Sequence, residues 1–314
     1  MARRIRIPGL VDLLRVSDAE EIRALNAEPC IDRNFIARGP LINRLIVARI
    51  RRWFRISGQF LPSLARRDDA ARSDSQQGLA RSLDPARHAL WTDAQIERLA
   101  DFVGSKADPD SDAAADMAVV VQEIVGRLFD QEYAADRASW RAAELIDRFR
   151  DGVSPVQIIW LITGRLRHAR DLLVERARDD RWAMHGTAIG LHGIVHALHR
   201  MRALRAAPEA ASLSDDAMLA RCLDPPMQVP RTVEAVLSTP VTADRLRPGA
   251  LVLLQLRAAA QRAPGPEMTF MQSRWNACPA QAFVIELLKA VWRRSLGVVG
   301  ADATGHPLHA AAVP

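Results

Sequence analysis

The residue best placed for chemistry in this sequence is a cysteine that directly precedes a proline. Cys278 is followed by Pro279, and proline is favoured at the first position of a helix. Apolar residues then recur at helical spacing, at Phe283, Leu287 and Ala290. The unpaired N–H groups and the positive dipole end of a helix N-terminus lower the pKa of a nearby thiol and stabilise its thiolate. The pattern is therefore typical of a metal ligand or a nucleophile, with a buried, inert cysteine as the alternative.

Four histidines are spaced so that a helix would bring them to one face. They are His185, His192, His196 and His199, and they fall within roughly 60° of one another at about 100° per residue. Beside them lie Gly186, Gly190 and Gly193, which would let a flat group approach the backbone closely. Three interpretations remain open: a histidine stripe without chemistry, an acid–base group at His192 or His196, and a metal site that uses these two residues as an i,i+4 pair.

The composition predicts a globular, mainly helical protein. Of the 314 residues, 49% are hydrophobic, 25% are charged and 5% are aromatic, and the mean hydropathy is −0.07. Ala, Leu and Arg are plentiful, and these residues favour helices over strands. Basic residues exceed acidic ones by six, and almost all of them are Arg. This composition has two interpretations: a general preference for Arg over Lys in the sequence, or a basic surface for an acidic protein or an anionic membrane. Basic and aromatic residues do not interleave in a recognisable module, so nucleic acid is not an expected partner.

Cysteine usage and the N-terminal residues favour a reducing compartment. The three cysteines, Cys30, Cys222 and Cys278, are far apart and odd in number, so a disulfide framework is not expected. Pro8 and Asp12 interrupt the apolar segment that a secretory signal would need. The sequence contains no apolar run long enough to span a bilayer. We therefore expect a cytoplasmic protein without a transmembrane segment.

The first third of the chain is predicted to contain two helices and a loop. Ser17 and Glu20 have the spacing of a capping box at the start of a helix, and residues 41–56 form a basic amphipathic pattern. Its residues Leu41, Leu45, Ala48 and Arg52 share one face. We expect this helix to pack on its own domain, with a position on a membrane surface as the alternative. Residues 63–85 are polar and are predicted to form a loop.

The rest of the chain is predicted to be helical apart from one strand pair. Helices are predicted from Ser154-Pro155 to about Arg178, over Trp182–Leu204, and from Pro279 to Leu296. The best strand candidates are Val229–Leu237 and Ala250–Leu256, on either side of a turn at Pro248-Gly249. We expect a single domain over residues 1–314, with flexible ends at 1–15 and 298–314.

Several short motifs follow one another in order along the chain. They are Val16–Leu25, Ser82–His88 with the pattern Asp-Pro-x-x-His, Pro225–Thr232 with its double proline, Pro248–Val252, Ala258–Pro264, and Phe270 followed by Cys278-Pro279-Ala280. In this order they resemble the cytochrome P450 proteins, from the early strand-to-helix passage and the start of helix C to the end of helix K, a strand pair, the cysteine loop and helix L. The resemblance implies a mainly α fold, a reduced cytochrome P450-like helical fold with a small β element.

The resemblance also implies a cofactor and the residues that hold it. The cofactor is haem b, with Cys278 as the thiolate ligand of the iron and with His88 and Arg274 at the haem propionates. Thiolate donation favours O–O bond cleavage at such an iron. A basic surface near Arg293 and Arg294 would suit an acidic electron-transfer protein as a partner.

The helix that carries the four histidines corresponds by position to the distal helix of the family. Gly190 and Gly193 would lie against the haem there, and His192 or His196 would be an acid–base group for peroxide or hydroperoxide. A His–iron–Cys six-coordinate state is a variant of this interpretation. The acid–alcohol pair that delivers protons to bound oxygen in the family falls on His192 and Gly193, so that pair is missing.

A second departure is the Glu-x-x-Arg ion pair, which falls on Leu219 and Cys222 and is also missing. We hypothesise a haem-thiolate oxidoreductase that acts on a small apolar organic substrate, either as a monooxygenase or with peroxide. The alternative is a non-catalytic relative that binds haem or a partner enzyme and activates that enzyme. A homodimer stays open, because the shortened chain leaves apolar surface that a second subunit could cover.

Overall fold

The computed structural model describes residues 2–33, 35, 37–86, 88–105, 112–151, 155–238, 245–264, 266–271 and 275–297. The helices are α1 (Ala19–Ala27), α2 (Leu41–Trp53), α3 (Ala70–Ser82), α4 (Asp93–Gly104), α5 (Asp112–Arg127), α6 (Arg137–Asp151), α7 (Pro155–Ile162), α8 (Arg165–Arg176), α9 (Arg181–His185), α10 (Leu191–Arg205), α11 (Asp215–Cys222), α12 (Leu256–Arg262), α13 (Pro266–Phe270) and α14 (Gln281–Ser295). The strands are β1 (Ala2–Ile7), β2 (Val11–Val16), β3 (Ile31–Asp32), β4 (Arg55–Ile56), β5 (Gln59–Phe60), β6 (Val229–Val233) and β7 (Leu251–Leu254).

The main sheet joins the beginning of the chain to its last third. Its strand order is β1-β2-β7-β6-β3, and β2 pairs in parallel with β7, from Leu13 opposite Leu251 to Val16 opposite Leu254. The predicted strand pair is confirmed as antiparallel β6 and β7, although both strands are shorter than predicted. Residues 2–7 and 11–16 are strands rather than part of a flexible end, because β2 completes the sheet and buries Leu14 and Val16 fully. The other predicted flexible end, 298–314, lies outside the described residues.

A buried asparagine fixes the start of α2 to this sheet. The side chain of Asn43 donates to the carbonyls of Asp12 (2.7 Å) and Gly249 (2.8 Å) and accepts from the N–H of Asp12 (3.3 Å). The backbones of Gly39 and Gly249 touch next to it, since a Cβ on Gly39 would lie 2.6 Å from the Gly249 carbonyl oxygen. The three segments therefore meet at a point where only glycine fits.

The helix α2 packs on its own domain through a face that the apolar pattern does not show. Its buried residues are Asn43, Val47 and Ile50, whereas the face shared by Leu41, Leu45, Ala48 and Arg52 is exposed. The polar Asn43 is buried because its hydrogen bonds are made inside the protein. As a result, a count of apolar residues points to the wrong side of the helix.

The prediction of a loop over residues 63–85 is wrong, because α3 occupies much of that stretch. Most of its described side chains are exposed or half-buried, so the helix has no apolar stripe by which a sequence pattern would reveal it. The side chain of Gln76 donates to the carbonyl of Ala277. This contact places α3 beside the residue that precedes Cys278.

The predicted helix over Trp182–Leu204 is confirmed, but it contains a π-helical turn. α9 runs directly into the turn Gly186–Gly190, and α10 continues from it. α10 lies in the core, with Leu191, Ala197 and Leu198 fully buried, and it contacts α4, α5, α11 and α14. The π-turn adds a residue to one turn of the helix and so shifts the face on which residues before and after it lie.

The helix predicted from Ser154 to Arg178 is divided in two. α7 and α8 are separated at Gly164, which has a φ of +72°, and such a left-handed residue cannot continue an α-helix. Ser154 itself lies outside the described residues. None of the helices in the described part of the chain combines the length and the apolarity needed to cross a bilayer.

We expect Gly249→Ala to destabilise the protein more than Gly58→Ala. Both glycines have a positive φ, 86° and 81°, so alanine at either position carries a left-handed strain of about 1–2 kcal/mol. A Cβ on Gly249 would also lie 2.6 Å from the Gly39 Cα, whereas one on Gly58 meets no atom within 4 Å. Urea denaturation should show an additional loss of about 1–3 kcal/mol in the free energy of unfolding for Gly249→Ala. Equal losses in the two variants would contradict the close contact.

Candidate functional site

The described residues of the cysteine loop, 270–271 and 275–280, are held by backbone hydrogen bonds on both sides of Cys278. The N–H of Cys278 donates to the carbonyl of Phe270 (2.8 Å), and the N–H of Gln281 donates to the carbonyl of Cys278 (3.3 Å). Phe270 is buried, so the loop starts inside the core. α14 begins at Gln281 rather than at the predicted Pro279. Cys278 therefore lies just ahead of the helix instead of next to its first residue.

The thiol of Cys278 is desolvated. Cys278 is half-buried, and burial raises the pKa of its thiol, while a hydrogen bond from the N–H of Ala280 lowers it by less. The pKa shift is therefore opposite to the sequence prediction, because desolvation disfavours the thiolate more than this one N–H group stabilises it. A metal cation at the sulfur would supply the positive charge that a thiolate needs.

Three arginines surround a tryptophan of the cysteine loop. The guanidinium carbons of Arg33, Arg67 and Arg231 lie 4.7, 5.0 and 5.7 Å from the centre of the Trp275 ring. We call these four residues the Arg–Trp cluster. Arg33 and Arg231 are buried, and the buried Asp32 accepts from the backbone N–H groups of Arg33 (2.6 Å) and Arg67 (3.0 Å). Three guanidinium groups thus lie together next to the loop, with Asp32 beside them.

The Arg–Trp cluster connects α1 and β6 to the cysteine loop. Trp275 donates from Nε1 to the carbonyl of Asn26 (3.2 Å), and the Asn26 side chain donates to Asn276 (3.0 Å). The guanidinium group of Arg231 donates to the side-chain oxygen of Asn26 at 3.5 Å. Sequence reasoning missed this cluster. A signal was present for Trp275, which lies three residues before Cys278, but Arg33 and Arg67 are distant in sequence and carry none.

The segment of His88 lies near the helix that follows Cys278. Its Trp91 ring is 5.7 Å from the ring of Phe283 in α14. His88 is exposed, and its N–H donates to the carbonyl of Asp84 (3.2 Å). His88 therefore lies on a segment that contacts α14, while Arg274 lies outside the described residues.

The four histidines do not share one environment. His192 is buried against α6, with its Nε2 3.2 Å from the carbonyl of Ala143 and its Nδ1 3.9 Å from Asp147. The ring of His199 contacts the edge of Phe102 in α4, at 5.3 Å between ring centres. His185 is separated from the others by the π-turn. In the described part of the chain, no group of three or more potential metal-binding side chains comes together.

His196 is paired with a buried carboxylate at the end of α11. Its Nδ1 lies 3.4 Å from Asp224, whose carboxylate also pairs with Arg200 (2.9 Å) and Arg257 (3.0 Å). Burial alone would raise the pKa of Asp224, but the hydrogen bond from His196 and the charges of Arg257 and Arg200 outweigh it, so the pKa is lowered. The side chain of His196 is 43% exposed, against 5% for His192.

The side of the π-turn and α10 that carries Gly190 and Gly193 is accessible. Gly190 is exposed and Gly193 is half-buried. A Cβ on Gly193 would meet no atom closer than the Asp224 carbonyl oxygen, at 3.9 Å, whereas one on Gly186 would lie 3.0 Å from Val125. Gly190, Gly193 and His196 thus remain open along one side of a helix that is buried on its other sides. A flat group could approach the backbone there.

We expect Asp224→Asn to destabilise the protein by about 3 kcal/mol at pH 7, because it leaves two arginines and a histidine without their carboxylate. The folded-state pKa of Asp224 lies below its ordinary value of 3.8. Its ionic contribution is therefore fully present above that value and is lost as the pH falls below it. Urea denaturation between pH 7 and pH 3 should show that the difference in the free energy of unfolding between the wild type and Asp224→Asn narrows only below about pH 4.

As a control, Asp171→Asn removes an exposed partner of Arg167 and should lower the free energy of unfolding by less than about 1 kcal/mol. A similar loss in both variants would refute the role of Asp224.

Comparison with known proteins finds matches among solved structures only. No protein-family model and no curated protein matches the sequence. A six-coordinated cytochrome P450 from Thermus thermophilus is 17% identical, with a TM-score of 0.60 over 90% of this chain and 84% of that chain. A cytochrome P450 from Mycobacterium smegmatis with econazole bound is 17% identical, with a TM-score of 0.58 over 90% and 84%. A thermophilic cytochrome P450 from Sulfolobus tokodaii is 11% identical, with a TM-score of 0.56 over 93% and 88%.

These identities are low, and the likeness concerns the fold. It extends over about nine-tenths of the chain. The predicted fold class, mainly α with a small β element, is confirmed. This chain has the fold of the cytochrome P450 proteins.

Proposed function

We propose that this protein is a haem-thiolate oxidoreductase that acts on a small organic substrate, in which Cys278 would supply the thiolate that binds the iron. The observation that carries the proposal is the cysteine loop of a cytochrome P450 fold, in which backbone hydrogen bonds fix Cys278 ahead of α14 and an N–H group points to its sulfur. Bound haem would supply a thiolate-ligated iron, whose electron donation favours O–O bond cleavage.

The residues around the cysteine loop fit haem b in their chemistry. Cys278 is half-buried as a residue but its thiol is desolvated, so its thiolate needs a compensating cation. The Arg–Trp cluster places guanidinium groups beside the loop, and guanidinium groups bind carboxylates such as the two haem propionates. His88 and Arg274 are proposed as further propionate partners. Gly190 and Gly193 would leave room on α10 for the face of the ring.

Among the histidines, His196 is the one we propose as the acid–base group. His192 is buried and occupied by the Ala143 carbonyl, so its Nε2 does not face an open space. The Nδ1 of His196 faces Asp224, and a carboxylate at one ring nitrogen orients the imidazole ring. The side chain of His196 is partly exposed, and its Nε2 would hold or deliver a proton at a bound peroxide or substrate.

The absence of the acid–alcohol pair at His192 and Gly193 supports the use of peroxide over electron-driven oxygen activation. A peroxide already carries the two electrons that an electron-transfer partner would supply and the protons that the missing pair would help to deliver. Under this proposal an electron-transfer partner is dispensable for turnover. Peroxide alone should then sustain oxidation of a substrate by the haem-loaded protein.

The axial ligand can be identified from the spectrum of the protein loaded with haem b. After reduction under CO, the wild-type protein should show the red-shifted Soret band that is typical of a thiolate-ligated haem, and Cys278→Ser should lose that band. Cys30→Ser is the matched control, because Cys30 is also half-buried and should keep the wild-type spectrum. A protein that takes up no haem, or a band that survives in Cys278→Ser, would disprove the proposed ligand.

The role of His196 can be tested by peroxide-driven oxidation of a peroxidase dye. Loss of a positioned acid–base group should reduce the turnover of His196→Ala by about a hundredfold, with the Soret band unchanged and the pH dependence of the rate flattened. His168 is exposed on α8, and His168→Ala should stay within about twofold of the wild-type rate. If His192→Ala lowers the rate and His196→Ala does not, the assignment belongs to His192.

A further inference from the structure

An arginine-rich cavity lies next to the Arg–Trp cluster and shares Arg33 with it, while its lining contains none of the described residues of the cysteine loop. Its volume is about 520 Å³, and it is lined by the end of α2, the β4–β5 hairpin, the segment before α3, and the first residue of α9. The basic residues around it are Arg33, Arg51, Arg55, Arg66 and Arg181, and the acidic residues are Asp68 and Asp69. Five guanidinium groups against two carboxylates leave a surplus of three positive charges.

Part of this positive charge is not used by the protein itself. Arg66 donates to both carboxylate oxygens of Asp68, at 2.9 and 3.1 Å, and these two charges cancel. Arg55 donates to the backbone carbonyl of Gly58, which does not neutralise its charge. Within the described ranges, Arg51 and Arg181 take part in no hydrogen bond or ion pair. Two guanidinium groups are therefore available to a ligand.

The other wall of the cavity is aromatic. The rings of Phe35 and Phe60 meet edge to face, with 5.8 Å between their centres, and the guanidinium carbon of Arg55 lies 4.8 Å from the centre of the Phe60 ring. Ala65 adds a further apolar surface to the lining. A bare inorganic anion would leave this wall uncovered, whereas a purely apolar molecule would leave the arginines without a partner.

We propose that this cavity binds an organic anion, a carboxylate that carries an aromatic or aliphatic body. The carboxylate would be held by Arg51 and Arg181, since guanidinium groups form paired hydrogen bonds with carboxylates, and the body would lie against Phe35 and Phe60. The proposal goes beyond the proposed function and does not depend on haem. Arg33 belongs both to the cavity and to the Arg–Trp cluster, so the site borders the cysteine loop.

The proposal is tested by calorimetric titration of the full-length protein with 4-phenylbutyrate and with its neutral analogue 4-phenylbutanol. We expect one saturable site for the carboxylate and at least roughly tenfold weaker binding of the alcohol, because the alcohol lacks the charge-assisted hydrogen bonds. The affinity for the carboxylate should fall with added salt. Equal affinities for the two compounds, or no saturable binding of the carboxylate, would overturn the proposal.

Two pairs of variants locate the site. Arg51→Gln combined with Arg181→Gln should weaken binding of the carboxylate by at least roughly tenfold. Arg44→Gln combined with Arg167→Gln removes the same charge from exposed positions outside the cavity and should change it by less than about twofold. Equal effects of the two pairs would show that only net charge matters and would overturn the proposed site. Cys278→Ser should bind the carboxylate like the wild type, so a failure of haem binding leaves this test unaffected.

Discussion

Charge that is buried inside a protein has to be paired or hydrogen-bonded, and this requirement determines how the elements around the cysteine loop are joined. Asp224 draws Arg200 of α10 and Arg257 of α12 to the end of α11. The Arg–Trp cluster similarly joins the first helix, the main sheet and the residues before Cys278. At these two points, segments that are far apart in sequence meet because a charge needs partners.

Asp224, which pairs with two arginines, lies close in sequence to the positions where the cytochrome P450 resemblance would place the Glu-x-x-Arg ion pair. Leu219 and Cys222 occupy the positions of the expected ion pair, and both are buried without charge. Burial raises the pKa of Cys222 to about 12, so its thiol stays neutral at physiological pH. The carboxylate that pairs with Arg200 of α10 and Arg257 of α12 is instead that of Asp224, two residues after Cys222 and immediately before the double proline. The connection between these elements is thus made by other residues.

Elements with a local sequence pattern could be predicted from the sequence. Elements whose existence or orientation depends on tertiary contacts could not. Residues 250–256 form an apolar run and residues 229–237 contain three valines, so β6 and β7 can be predicted from local sequence, and most residues of β7 are buried. The helix α3 could not be recognised, since its side chains face solvent and an exposed helix has no apolar periodicity. The orientation of α2 was hidden because Asn43 is buried by bonds to Asp12 and Gly249, which are distant in sequence.

For the candidate site, the residue next to a proline was easier to find than its surroundings. Cys278 is recognised by its neighbours in sequence, Pro279 and the apolar pattern of α14, and so it can be found from the sequence alone. The separate surroundings of His192 and His196 are not, because a π-turn and contacts with α6 and α11 decide them. Nor does any local pattern link Arg33, Arg67 and Arg231, which converge on Trp275 only in the folded chain.

The parallel pairing of β2 with β7 has a consequence for the synthesis of the chain. β2 leaves the ribosome early, but its partner β7 emerges only after most of the described chain has been made. Until then, the β1–β2 hairpin presents an unpaired strand edge, and Leu14 and Val16, which the finished sheet covers completely, face water. Such an edge is a binding site for chaperones and a starting point for aggregation. Pairing of β2 with β7 therefore removes an edge of the β1–β2 hairpin that favours aggregation.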